Sequence, residues 1–103
     1  MARWSDIVFL LNKTETVNNG EVVSFFVKTK RYVNKLSIRQ KEFYDAHLTG
    51  LNPEIMFEIR TGEYNKQPSV EFEGEVYHII RTYNKGEFTE LVVSRFPHVE
   101  TTV

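Results

Sequence analysis

Along most of the chain apolar and polar residues alternate in short runs, the period of β-structure, broken once by a stretch with helical spacing. "DIVFLL" (Asp6–Leu11) is a continuous apolar run of β-forming residues and predicts a strand buried on both faces. "NKTETVNNGE" ends in Asn19-Gly20, a pair that tolerates positive φ and therefore predicts a turn and a hairpin return. In the stretch from Val22 to Ile38, Val23, Phe25 and Val27 share one face and Val22, Ser24 and Phe26 the other. That run exceeds the usual strand length, so a bend or break is expected near Thr29–Arg31.

"KLSIRQKEFYDAHLTGLNPE" carries the helical signal. Ser37 and Gln40 have capping-box spacing, with the hydroxyl placed to accept the Gln40 N–H. Tyr44, Leu48 and Leu51 recur at i, i+4 and i+7 with Phe43 beside them, which predicts an apolar stripe on a helix of about three turns. Gly50 suits the left-handed end, and Pro53 stops the run. A helix this short is marginal alone, so its stripe needs a partner surface.

After Pro53 the alternation returns. Ile55, Phe57 and Ile59 face one way, and Glu54, Met56, Glu58 and Arg60 the other, the pattern of a half-buried strand. "TGEYNKQPS" is a loop by composition. Val70 and Phe72 precede a tight turn at Glu73-Gly74, and the next run sets Val76, His78 and Ile80 against Tyr77, Ile79 and Tyr83. Asn84–Gly86 turns into a last strand with Leu91 and Val93, completing a three-strand meander. The expected fold class is mainly β: a small antiparallel barrel, residues 1–95, with a helix or loop insert at 37–52 and an exposed or partner-docked tail at 96–103.

Composition adjusts this picture in a few respects. With 103 residues, 41% hydrophobic and 26% charged, the chain suits one domain with one core. No apolar run approaches the roughly 18 residues of a membrane span, and the opening segment does not read as a signal peptide, so no membrane association is expected. The absence of Cys removes disulfide and thiolate chemistry. A formal net charge of −1 argues against a dedicated nucleic-acid binder, although residues 1–52 carry a positive excess and 53–103 a negative one. Lys28, Lys30, Arg31, Lys35, Arg39 and Lys41 occur with no acid until Glu42. Of these, Lys28, Lys30, Arg31 and Lys35 are candidates to meet acids of a neighbouring copy, with Glu71, Glu73 and Glu75 around the hairpin turn as their counterparts.

Catalytic chemistry has no foothold in the spacing. His47, His78 and His98 fall on a helix, a strand and the tail, without the short ligand intervals of a zinc site. His78 reads as a satisfied, partly buried strand residue, and Asp45 and His47, two apart, do not face each other on a helix. Glu71, Glu73 and Glu75, read as pointing the same way, form either a weak cation site or an exposed turn rim. Each glycine is isolated, so no phosphate-cradling loop forms. The expectation is a non-enzyme without a cofactor.

Three segments, "RWSDIVFL", "YVNKLSIRQKEFYDAHLTGLNPEIMFEIR" and "VEFEGEVYHIIRTYNKGEFTELVV", occur in an order that resembles the bacteriophage head closure family, also called head-tail adaptor or stopper proteins. The tail from Arg95 onward matches no pattern of that family. The resemblance implies a virion protein of the neck, made in the bacterial cytoplasm, that forms a homo-oligomeric ring below the portal and its adaptor. Such a ring closes the channel on packaged double-stranded DNA without reading its sequence, and offers a docking surface to tail terminator or tail-joining proteins. By sequence order the channel-closing segment matches Ser37–Asn52, with Ser37, Ile38, Arg39, Gln40, Phe43, Tyr44, His47, Leu48 and Leu51 as its assembly residues. The isolated chain is then expected to be a monomer or a weak oligomer. Two other readings fit the composition: a tail-completion protein, and a small nucleic-acid-binding barrel that stacks bases on strand aromatics.

Overall fold

The alternation in "EIMFEIR" sets the interior: Phe57 and Ile59 are fully buried and Ile55 packs beside them. The same phase continues on every neighbouring strand. The computed structural model describes residues 4–96, with β1 (Asp6–Asn18), β2 (Glu21–Leu36), α1 (Gln40–Leu48), β3 (Ile55–Arg60), β4 (Ser69–Phe72), β5 (Glu75–Asn84) and β6 (Phe88–Ser94). All strand pairs are antiparallel, and the sheet closes in the order β1-β2-β3-β6-β5-β4. The expected mainly-β barrel with one short helix is therefore the observed fold, and β4-β5-β6 is the expected meander. Val8, Leu10, Val33, Phe57, Ile59, Val70, Phe72, Tyr77, Leu91 and Val93 fill the barrel, with Phe57 edge-on to Phe72 at 5.0 Å between centroids. Closure matters because a barrel has no sheet edge within its wall.

Turn chemistry follows the sequence. Asn19 (φ 53°) and Gly20 (φ 81°) both sit at positive φ between the paired Asn18 and Glu21, the two-residue hairpin that Asn-Gly favours. Glu73 and Gly74 repeat the geometry between Phe72 and Glu75. A single 3₁₀ turn, Thr61–Glu63, opens the loop between β3 and β4.

Two expectations about the first hairpin are corrected. The β1–β2 ladder is continuous from Asp6 opposite Val33 to Asn18 opposite Glu21, so β2 is not broken at Thr29–Arg31. Nor is β1 buried on both faces: Val8, Leu10 and Leu11 are buried, but Ile7 is exposed and Phe9 only half-buried. The cause lies on β4. That strand has four residues and meets β1 only at Phe9–Leu11. Past Leu11 the hairpin leaves the barrel, and among the described residues Asn12–Asn18 and Glu21–Val27 pair only with each other. This arm is about 20–25 Å long. The Cα radius of gyration is accordingly 15.3 Å, against about 13 Å for a compact chain of this length. Of the expected exposed tail, Phe96 is exposed and the remainder lies outside the described residues.

The division into barrel and arm is testable by urea denaturation. Phe57→Ala, which empties the centre of the core, should lower stability by about 3–5 kcal/mol. Phe26→Ser, on the arm with 66% of its surface exposed, should change it by less than about 0.5 kcal/mol.

Candidate functional site

The outer face of β3, β6 and β5 receives the insert, and a β-bulge prepares it. Ile79 pairs with Val93 but Arg81 pairs with Val92, so Ile80 is the extra residue. One extra residue reverses the phase of everything after it. Arg81 and Tyr83 therefore stand opposite Val92 and Glu90, on the face of β6 away from the buried Leu91 and Val93 of the core. Alternation alone had grouped Tyr83 with Tyr77 and Ile79; the bulge corrects that.

The insert lies across this face. Arg39 donates two hydrogen bonds to Glu90, at 3.2 and 3.0 Å, and Lys85 approaches the same carboxylate at 3.4 Å. Glu42 accepts a hydrogen bond from the Tyr83 hydroxyl and lies 3.5 Å from Arg81 as an ion pair. Arg81 also donates to the Thr49 hydroxyl at 3.4 Å. Beneath the insert, Met56 and Val92 are cross-strand partners on the non-core face, yet both are wholly inaccessible, as is Ala46 of α1. At the exit, Glu54 accepts from Ser94 and Arg95 and ties the return to the end of β6.

This arrangement inverts the expected orientation of α1. Glu42 and Ala46 face the barrel, while Phe43, Tyr44 and Leu48 are 47%, 63% and 68% exposed and Leu51 is half-buried. The reason is electrostatic. Rolling the apolar stripe inward would carry Glu42 away from Arg81 and Tyr83 and Arg39 away from the buried Glu90, and a buried polar group without a partner costs about 1–3 kcal/mol. The helix also begins later than the capping box implied. Arg39 is the N-cap, it makes no side-chain cap bond, and the first bond runs from the Phe43 N–H to the Arg39 carbonyl. Ser37 and Ile38 instead belong to the extended lead-in, and Gln40 is the first helical residue. The C-terminus is as read: Gly50, at φ 80°, donates to His47 while Leu51 donates to Ala46, the Schellman pair.

Charge fixes the insert more than burial does. The hydrogen bonds from Arg39 hold the Glu90 carboxyl below its ordinary range, and they outweigh the opposing effect of burial. At Glu54 burial pushes upward but the bonds from Arg95 and Ser94 prevail, and its carboxyl is also lowered. These are structural ion pairs. Among the described residues no group of three or more His, Cys, Asp or Glu is placed to hold a metal ion, and no helix is long and apolar enough to cross a membrane.

The remaining candidates are scattered. His47 stacks on Phe43 at 5.9 Å on the exposed side of α1, and His78 is exposed rather than partly buried. His98 lies outside the described residues. The charges proposed for neighbouring copies largely find partners at home: Lys28 bonds Glu71 at 3.1 Å, Arg31 reaches the Glu63 carbonyl at 3.1 Å, Lys30 lies over Tyr32 and Lys35 over Phe72. Glu71, Glu73 and Glu75 do not share a face. Glu71 is opposite Val76 and Glu75 opposite Phe72, on either side of the sheet, with Glu73 in the turn.

What the sequence concealed is the arm. Val17, Val22, Val23, Phe25, Phe26 and Val27 are 43–75% exposed. By register Val23, Phe25 and Val27 continue the face that holds Leu10 and Val8 inside the barrel, with Thr16, Thr14 and Asn12 opposite them. A core-type face runs on past the end of the core.

If polar contacts hold the insert, acid should release it. A carboxylate whose folded pKa is lowered contributes stability above its unfolded value, near 4.3 for Glu, and that contribution is lost as pH falls through the folded value. Protection of amides 43–51, relative to their intrinsic exchange rates, should therefore fall below about pH 4 while core strands stay protected. At neutral pH, Glu90→Gln should speed the same amides about tenfold, a loss near 1.4 kcal/mol. Protection equal to that of β3 and β6 in both cases would make the insert a fixed strut.

No family model matches the chain, and a search of curated proteins returns no match.

Proposed function

We propose that the chain is a non-enzymatic structural protein of a bacteriophage neck, assembling as a ring below the portal and its adaptor. In this reading the ring retains packaged DNA and gives the tail a docking surface. The sequence resemblance supplies the context. The observation that carries the assembly role is the exposed apolar surface at two separate places, the arm and the α1 stripe, on a barrel whose own core is complete. Monomeric proteins seldom expose apolar patches beyond a few hundred Å², and larger ones mark contacts with other proteins.

Strand order supports a ring over a closed pair. In β1-β2-β3-β6-β5-β4 the arm strands β1 and β2 lie three places from β6 and β5, so arm and insert occupy opposite sides of the barrel. A contact that joins one side of a protomer to the opposite side of the next is heterologous, and it closes as a ring when the rotation per copy permits. The insert suits a channel-facing role because its docking rests on the polar contacts of Arg39, Glu42 and Thr49, which new partners could replace and which otherwise cost about 1–3 kcal/mol for each buried group left unpaired.

The test is complementation of the phage or prophage whose genome carries this chain. Phe43→Ser with Leu48→Ser changes exposed residues only, so the protein should fold and keep its melting temperature. The heads produced should lose DNA or fail to take tails, with infectious titre down at least a hundredfold. Wild-type titre with this variant would defeat the neck assignment of the insert.

A further inference from the structure

The arm has an apolar face and no strand partner beyond its own hairpin among the described residues. Val23, Phe25 and Val27, with Thr16, Thr14 and Asn12 across the ladder, form a surface free of charged side chains. Of the arm's charges, Lys13 and Glu15 lie on the other face and approach each other at 3.8 Å, and Glu21, two residues before Val23, bounds the apolar face at the turn. The stripe of α1, Phe43, Tyr44, His47 and Leu48, also lacks acids and permanent cations. The stripe fits within the length of the arm face: Val23 to Val27 spans about 14 Å of strand, and Phe43 to Leu48 rises about 8 Å along the helix.

We infer that the arm face is the docking site for α1 of a second copy of this chain, the contact being Val23, Phe25 and Val27 of one protomer against Phe43, Tyr44 and Leu48 of the next. Within one chain the two surfaces do not cover each other, since the residues of both are exposed, and β1 and β2 lie three places from β6 and β5 around the barrel. Docking would extend the arrangement already present at the insert, where Ala46, Met56 and Val92 are all wholly inaccessible. The helix would then be sandwiched, its small face on its own barrel and its large apolar face on the neighbour's arm. α1 need not leave its barrel to do this.

Area sets the strength. With roughly 150–200 Å² for a whole side chain, the exposed fractions of these six residues amount to roughly 450–600 Å² for one contact, both sides together. A stable interface buries about 1,200–2,000 Å². One contact is too small to hold two copies together, whereas a closed ring, in which each copy makes two, gains stability from closure. The isolated chain should therefore associate weakly, with open arms, until a ring is templated. The inference deepens the ring reading above by naming the contact.

The absence of cysteine permits a direct test. Val23→Cys and Leu48→Cys are made as separate variants, mixed at about equal, high concentration and exposed to a mild oxidant. The mixed disulfide, which only two different chains can form, should exceed either homodimer at least fivefold. It should fall at least tenfold when Phe25→Ser and Val27→Ser are added to the first variant, or Tyr44→Ser to the second, with circular dichroism verifying the fold of each. A predominant Val23→Cys homodimer would replace this contact with an arm-to-arm one. Mixed linkage no greater than that of the exposed Thr82→Cys would overturn it. Rings that still assemble on portal without the mixed link would overturn the contact and leave the ring reading, whereas no ring under either condition would remove both.

Discussion

Three residue pairs between β1 and β4 decide the shape of this protein. Phe9–Leu11 against Ser69–Glu71 closes the sheet into a barrel, and because β4 is only four residues long the closure ends there. A longer β4 would have carried the wall alongside the hairpin and buried its face. As it is, the ladder between β1 and β2 continues for seven pairs after its neighbour has stopped. The interior phase of Leu10 passes without a break into Phe25 and Val23, first covered and then bare.

The opposite side of the barrel shows a different balance. An apolar stripe on a short helix would ordinarily turn to the nearest hydrophobic surface, here Met56 and Val92. It does not, because the same surface carries Glu90 and, through the bulge at Ile80, Arg81 and Tyr83. Satisfying those groups requires Arg39 and Glu42, which share the other side of α1 with Ala46. Ala46 is small enough to let the helix approach. Hydrogen bonding thus sets the rotation of the helix, and its hydrophobic side is left exposed.

Both features leave apolar surface at a place the fold itself does not require. Neither the arm nor the stripe contributes to the core, so selection for stability alone would favour polar residues at Phe26, Val22 or Tyr44. In the proposed ring these are the two surfaces that successive copies would share.

From sequence alone one could read the strands, the Asn-Gly and Glu-Gly turns, the inward phase of Phe57, Leu91 and Val93, and the helix with its Gly50 terminus. These rest on local periodicity and backbone preference, which each segment carries by itself. Where β4 stops relative to β1, which way α1 rotates and which residue bulges from β5 are matters of register between distant segments. "DIVFLL" and "VVSFFV" look like core strands whether or not a neighbour reaches them, and Ser37 looks like a cap whether or not Arg39 finds Glu90. Burial is a property of pairs, so only the assembled barrel could separate the apolar residues that fill it from those left open to a partner.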